Sequence, residues 1–320
     1  MRAAAEAPAR LGAPTLTFWL IGLMIALGLV GPFVVYPVFL MNVLCFALFA
    51  CAFNLLLGYV GLLSFGHAAF FGWAAYATGH AAKVWGLSPE LAILAGTALA
   101  ALLGLVFGWL AIRRTGIYFA MITLALAQMV YFFALQAPFT GGEDGLQPIP
   151  RGRLLGLIDL GQMLNMYYFV LAIFLLGFLL IYRAVHSPFG QVLKAIRENQ
   201  ARAVSLGYRV DHYKLLAFVL SAALSGLAGG TKALVLHFAT LTDVHWHTSG
   251  EVVLMTLLGG MGTIFGPVVG AFVVLMLRQY LAGFGGWVTV IIGAIFVVCV
   301  LLFRRGIVGE LARIFRLKGV

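Results

Sequence analysis

Apolar residues fill long blocks along almost the whole chain, and polar residues collect mainly where the blocks end. A helix needs about 20 consecutive apolar residues to cross about 30 Å of hydrocarbon. That measure predicts spans at 16–35, 38–57, 64–82, 90–112, 116–136, 166–185, 213–237, 264–282 and 286–303, with a shorter apolar run at 250–262. The predicted fold class is all-α, a polytopic transmembrane helical bundle. One polar island stands apart. Ser187 to Lys214 holds five of the 20 Lys and Arg residues, with Arg183 just before it, and lies between two long apolar runs.

Composition agrees with the pattern. Hydrophobic residues make up 63% of the chain and charged residues 9%, against roughly 25% charged in soluble domains. A soluble core of this length cannot hide that much apolar surface, so lipid must cover the rest. The net charge of +10 does not point to nucleic acid, because the charges sit at the ends of apolar runs rather than on one basic face. Cys45, Cys51 and Cys299 all fall inside apolar runs without C-x-x-C or Cys/His spacing, which argues against disulfides and zinc. The run 16–35 is longer than a signal-peptide core and no A-x-A site follows it, so it reads as a retained first span.

Charge also orients the bundle. With the N-terminus inside, Arg113–Arg114 and the 186–212 segment fall inside, and the 138–165 and 238–249 loops fall outside. The tail with Arg304, Arg305, Arg313, Arg316 and Lys318 belongs inside too, which requires 250–262 to count as a short crossing. About ten spans follow, with both termini cytoplasmic. Of the Lys and Arg residues, 15 are then cytoplasmic, and Lys83, Arg151, Arg153, Lys232 and Arg278 are exceptions. The domain reading is a tail at 1–15, a transmembrane domain at 16–303 with a cytoplasmic loop at 187–212, and a basic tail at 304–320.

Two glycine-broken segments, Gly58 to His67 and Leu258 to Pro267, lie one in each half of the chain. Paired interruptions point to an inverted repeat and to a midplane path in transporters. The echo of FGHAAFFGWAAY in GTIFGPVVGAF supports the pairing. Candidate path residues are Asn54, Ser64, Phe65, Gly66, His67, Gly259, Gly260 and Gly262. The four-residue steps Gly262/Gly266/Gly270, Ser221/Ser225/Gly229 and Gly226/Gly230 predict close helix packing, either within the subunit or at a subunit interface.

Ionisable groups at membrane depth are functional candidates by default. Glu251 completes a T-x-x-E capping box with Thr248, with substrate binding as the other reading. Arg278, near a span end, can snorkel to the headgroups. No Asp/Glu/His relay, Ser-His-Asp set, H-E-x-x-H or paired catalytic carboxylates appear. Without G-x-x-x-x-G-K-[ST], the chain has no P-loop of its own. The chain is therefore not expected to be an enzyme, and no catalytic or metal residues are assigned.

In the island, Ser187-Pro188 reads as a cap followed by a first-turn proline. Val192, Leu193, Ile196, Ala203 and Leu206 form one apolar stripe, and Gly207 is the stop. Such a helix can dock on a cytoplasmic motor or rest on anionic lipid.

The island, its continuation LLAFVLSAALSGLAGG, and the runs NLLLGYVGLLSFGHAAFFGWAAYATG, GIYFAMITLALAQM, TGGEDGL, HWHTSGEVVLMTLLGGMGTIFGPVVGA and RRGIVGE occur in that order. Over residues 40–310 the set resembles the LivM-type permease of branched-chain amino acid ABC importers. The resemblance implies a bacterial inner-membrane subunit working with a LivH-like second permease, two cytoplasmic ATPases and a periplasmic binding protein. ATP and magnesium would sit on the ATPases, leaving this chain without a cofactor. It implies a motor-coupling role for Ala195, Arg197, Glu198, Asn199, Ala203 and Gly207, and docking of the binding protein at Thr140, Gly141, Gly142, Glu143, Asp144 and Gly145. The mechanism implied is alternating access driven by the motor. Related permeases serving urea, amides or aromatic acids, an ATPase-independent carrier, and an intramembrane enzyme are the alternative readings.

Overall fold

The computed structural model describes residues 13–285, 287–302 and 306–314. Residues 1–12, 304–305 and 315–320 of the predicted tails lie outside the described residues, and the parts that are described are helical. Helices α1 Ala13–Val34, α2 Pro37–Asn54, α3 His67–Lys83, α4 Pro89–Ala111 and α5 Ile117–Gln136 form the first half. After α6 Met163–His186 come the short α7 Pro188–Glu198 and α8 Gln200–Ser205, then α9 Val210–Leu236. The chain continues through α10 Leu241–Val244, α11 Trp246–Gly259, α12 Gly266–Leu281, α13 Trp287–Leu302 and α14 Gly306–Ile314. Strands β1 Arg153–Leu154 and β2 Ile158–Asp159 pair antiparallel with Arg153 opposite Asp159. This small hairpin and an isolated antiparallel bridge between Leu146 and Ala239 are the departures from all-α among the described residues.

Proline opens α2, α4 and α7 and sits in the first turn of α12, where its missing N–H costs nothing. Among the described residues, five helical stretches are long and apolar enough to cross a membrane: Pro37–Val60, Pro89–Ala111, Ile117–Gln136, Met163–His186 and Val210–Leu236. The first counts α2 together with a π-helical turn at Leu55–Val60. The apolar window of α2 is 89% buried and that of α5 only 28%. α2 and α9 are thus the inner posts, whereas α5 turns Ile117, Met121, Met129 and Phe132 outward. An apolar face of that extent belongs in lipid rather than water.

The small-residue steps on α9 and α12 are used inside the subunit. A Cβ at Gly229 would stand 1.9 Å from the Phe71 carbonyl oxygen, and one at Gly270 would stand 1.8 Å from that of Met255. α9 thereby lies against α3, and α12 against α11, at backbone distance. Phe49 and Phe71 stack at 4.5 Å beside this contact and tie α2 to α3.

Two helices do not start at a bundle end. α2 runs through Val60, Gly61 takes a left-handed conformation (φ 81°), and residues 62–66 lead back into the bundle before α3 begins at His67. α9 ends the same way at His237 (φ 64°), and residues 238–245 return before α11 begins at Trp246. The two restarts meet, since the Ala68 amide donates to Ser249 Oγ at 2.9 Å. From that level α3 runs away from the island and α11 runs toward it. The restart of α3 thus meets the helix that follows the 237–245 segment.

Candidate functional site

The island folds as two helices rather than one. Ser187 Oγ accepts from the Gly190 amide at 3.5 Å and starts α7. Asn199 then leaves helical geometry (φ −155°) and its Oδ1 accepts from the Arg202 amide at 3.0 Å, starting α8. Asparagine is among the best N-caps, so it divides the stretch. Leu193, Ile196 and Ala203 are buried as predicted, but Leu206 is 69% exposed and leaves the apolar stripe. Gly207 (φ 87°) ends the segment. Of the predicted coupling set, Ala195, Glu198 and Asn199 face outward, while Ala203 packs inward with Ile196 and Val210.

Arg197 is exposed as well, but its guanidinium turns back onto the bundle. Its Nη1 donates to the Gly58 carbonyl oxygen, and its aliphatic stem lies where a Cβ on Gly61 would come within 3.1 Å. Across the same point Asn54 holds the second glycine-rich break with both ends of its amide. Oδ1 accepts from the Gly262 amide at 3.0 Å, and Nδ2 donates to the Thr263 carbonyl at 2.8 Å. Gly58, Tyr59, Gly262, Lys194, Arg197 and Glu198 line one cavity of about 360 Å³. The Lys194 ammonium lies 5.7 Å from the centre of the Tyr59 ring.

Both breaks therefore abut the island. By helix rise, Gly58 is about 30 Å from the start of α2, which puts these breaks at one end of the bundle rather than at its middle. Gly259 and Gly260 belong to the same end. A Cβ on Gly259 would meet the Gly266 carbonyl oxygen at 1.9 Å, and Gly306, at the start of α14, approaches the Gly260 backbone as closely as 2.4 Å from its own notional Cβ.

The remaining predicted path residues secure the start of α3. Ser64 Oγ accepts from the Gly66 amide at 3.1 Å, and the Phe65 amide donates to Thr123 Oγ1 of α5 at 3.2 Å. His67 Nε2 and Ser221 Oγ are 2.9 Å apart, and Ser221 donates in turn to the Ala52 carbonyl at 2.5 Å. Phe53, Phe70 and Phe218 surround the imidazole edge-on. His67 is a fully enclosed tie between α2, α3 and α9.

A second polar cavity, about 560 Å³, lies deeper, between α2, α9, the 237–245 segment, α11 and α12. One of its ion pairs, Lys232 with Asp243, is almost wholly buried, and the Lys232 ammonium also lies 5.5 Å from the centres of the Phe46 and Phe71 rings. The other joins Arg278 Nη1 to Glu251 Oε2 at 3.0 Å, with His247 Nδ1 3.7 Å from Glu251 Oε1. Two sequence expectations change here. α11 starts at Trp246 with His245 as its cap, so Thr248 and Glu251 form no capping box. Arg278 is held by a carboxylate rather than left to snorkel. Sequence reasoning did not select Lys232 or Asp243 for the site. The available signal was Lys232's place among the basic residues on the wrong side of the charge rule.

The predicted docking loop is stitched to the rim of this cavity. Thr140 Oγ1 donates to the Ala134 and Ala137 carbonyls at 2.6 Å, closing α5. Gly141, Gly142 and Gly145 all adopt positive φ, and Glu143 and Asp144 lie in the turn between them. Leu146 then bridges to Ala239 by two backbone hydrogen bonds of 2.9 and 3.1 Å. Lys83 donates to the Gln147 carbonyl, and Arg151 caps the last carbonyls of α9 at Leu234 and Val235.

A family model described as branched-chain amino acid transport system, permease component, matches residues 37–301. The LivM permease protein of the high-affinity branched-chain amino acid transport system of Escherichia coli K12 is 26% identical over 277 residues, 79% of this chain. The chain spans 65% of that relative's length. The LsrC permease protein of the autoinducer 2 import system of Klebsiella pneumoniae is 30% identical over 186 residues, covering 55% of this chain and 51% of LsrC. PsaBC from Streptococcus pneumoniae, solved in complex with a Fab, aligns over 86% of this chain and 95% of that chain, with 16% identity and a TM-score of 0.44.

Proposed function

We propose, from the premise that this chain belongs to the branched-chain amino acid transport system permease family, that it is one permease subunit of an ATP-driven importer for branched-chain or related amino acids. It works in the bacterial inner membrane, crosses it about ten times and keeps both termini in the cytoplasm. Its partners are a LivH-like second permease, two cytoplasmic ATPases that bind the ATP and magnesium, and a periplasmic binding protein that docks over Thr140–Gly145. The chain itself performs no chemistry.

The observation that carries this reading is Arg197. It sits on the island helix whose neighbours Ala195, Glu198 and Asn199 face outward, yet its guanidinium grips Gly58 beside Asn54 and Gly262. A push on the outer face of α7 thus arrives at both glycine breaks at once. The break at 61–66 leads straight into α3, and Gly259–Gly266 is the hinge between α11 and α12. α3 and α11 start against each other beside the deep cavity, so movement at the island end reaches it through two rigid helices. Packed elements of this kind shift between discrete arrangements rather than deform continuously. ATPase closure would therefore rock α3 and α11–α12 about the cavity, opening it to one side and then the other.

Charge reversal at the island tests the proposal. Arg197→Glu and Glu198→Arg should each assemble with the ATPases and hydrolyse ATP while uptake falls at least tenfold. Arg197→Lys should lie between, since an ammonium cannot reproduce the planar guanidinium contact. Uptake coupled to hydrolysis at the wild-type ratio in both reversals would remove α7 from the coupling path.

A further inference from the structure

The cavity bounded by the 237–245 segment contains more charge than packing requires. About 16 Å of α3 extends from Gly72 to its far end, and Asp243 packs against Gly72 itself. The Lys232–Asp243 pair is therefore well inside the bundle, whereas Arg278, in the last turn of α12, stands at the mouth of the cavity. Replacing a buried ion pair with apolar side chains is often neutral or stabilising, so its presence calls for another reason. Ionisable groups at membrane depth mark substrate paths, and transporter sites form where helices are discontinuous. This cavity meets both conditions, because the break before α11 forms one wall.

The two ion pairs differ. Lys232–Asp243 is closed, with side chains 10% and 7% exposed, whereas Arg278 is 51% exposed over a Glu251 that is 15% exposed. Among the described residues Arg278 makes one hydrogen bond, from Nη1 to Glu251, and the remaining N–H groups of a guanidinium can serve a second acceptor. Asp243 Oδ2 is buried and has no hydrogen-bond partner among the described residues. Phe46, Leu236, Phe238 and Leu275 supply apolar wall beside these charges.

We propose that this cavity is a binding site for the zwitterionic head of an α-amino acid, which enters by inserting into the Arg278–Glu251 pair. The ligand carboxylate takes Arg278 and its ammonium takes Glu251, so one ion pair becomes two and no net charge is added. The aliphatic side chain rests on Phe46, Leu236, Phe238 and Leu275. Lys232–Asp243 stays closed beneath it as a fixed, oriented dipole. The inference rests on the amino-acid permease reading and adds the site and the atoms read.

The test uses the assembled importer in nanodiscs without its binding protein, with saturation-transfer NMR of L-leucine as the readout. Leucine should give a signal that neither leucinamide, which lacks the carboxylate, nor 4-methylpentanoate, which lacks the ammonium, displaces at equal concentration. Arg278→Gln and Glu251→Gln should each weaken it at least tenfold. The Glu251→Arg/Arg278→Glu double variant keeps a salt bridge and should recover part of it. No leucine signal in the wild type, equal displacement by either analogue, or wild-type signal in both single variants would overturn the site. If the variants do not assemble, the analogue competition on the wild type decides. ATP-dependent leucine uptake by the same purified importer, reconstituted in sealed proteoliposomes with its binding protein and measured in parallel, separates the two readings. Uptake without the NMR signal ends only this site, whereas loss of both ends the amino-acid permease reading as well.

Discussion

Asn54 is the residue on which the island end of the bundle depends most. Its amide serves the Gly262 N–H and the Thr263 carbonyl at once, two backbone groups that no helix satisfies. Asn54→Ala leaves both without a partner, at about 1–3 kcal/mol for each. The thermal midpoint of the purified protein in detergent should fall accordingly, and Asn54→Asp, which keeps the acceptor and loses the donor, should fall less. An unchanged midpoint for Asn54→Ala would mean the second break is held by something else. Asn54 was legible in the sequence because a carboxamide in an apolar run stands out. Its partners were not, because they are backbone atoms more than two hundred positions away. Four of the five basic residues that the predicted orientation leaves outside yield to the same scale of explanation. Lys83 and Arg151 bind carbonyls, and Lys232 and Arg278 bind carboxylates. Each has a specific partner that composition cannot reveal.

At the scale of elements, Asn199 decides how the island is built. The apolar periodicity of 188–207 reads as one helix, and only the capping chemistry of a single side chain turns it into two. Asn199→Ala removes the Oδ1 acceptor of α8, a loss of about 0.5–2 kcal/mol. Amide exchange at Arg202 to Ser205 should quicken several-fold, with α7 unaffected. Equal protection in the variant would show that packing of Ala203 on Ile196 and Val210 alone maintains α8. The half-helices were harder to read. The start of α3 was announced by glycines, but the 237–245 segment contains none, and its mixture of Thr, Asp and His looks like an ordinary external loop. It turns inward because His237 takes the left-handed conformation that glycine takes at Gly61, and because Arg151 and the Leu146–Ala239 bridge hold its return.

Across the whole molecule, the long apolar blocks were plain in the sequence because lipid demands them, and each predicted run carries a helix. What connects the ends was not, since it depends on which breaks face each other. The island end holds Arg197, Asn54 and the two glycine breaks. The deep cavity holds two ion pairs under a loop tied to its rim, and α3 and α11 link the two places. The proposal puts a motor at the island end and a solute in the cavity. The most direct measurement is leucine uptake by proteoliposomes containing the complete importer and the loaded binding protein, with ATP either supplied to or withheld from the ATPase face. The account predicts accumulation only with hydrolysable ATP, and its loss in Arg197→Glu while hydrolysis continues. Accumulation without ATP, or an Arg197→Glu importer that accumulates leucine as the wild type does, would contradict it.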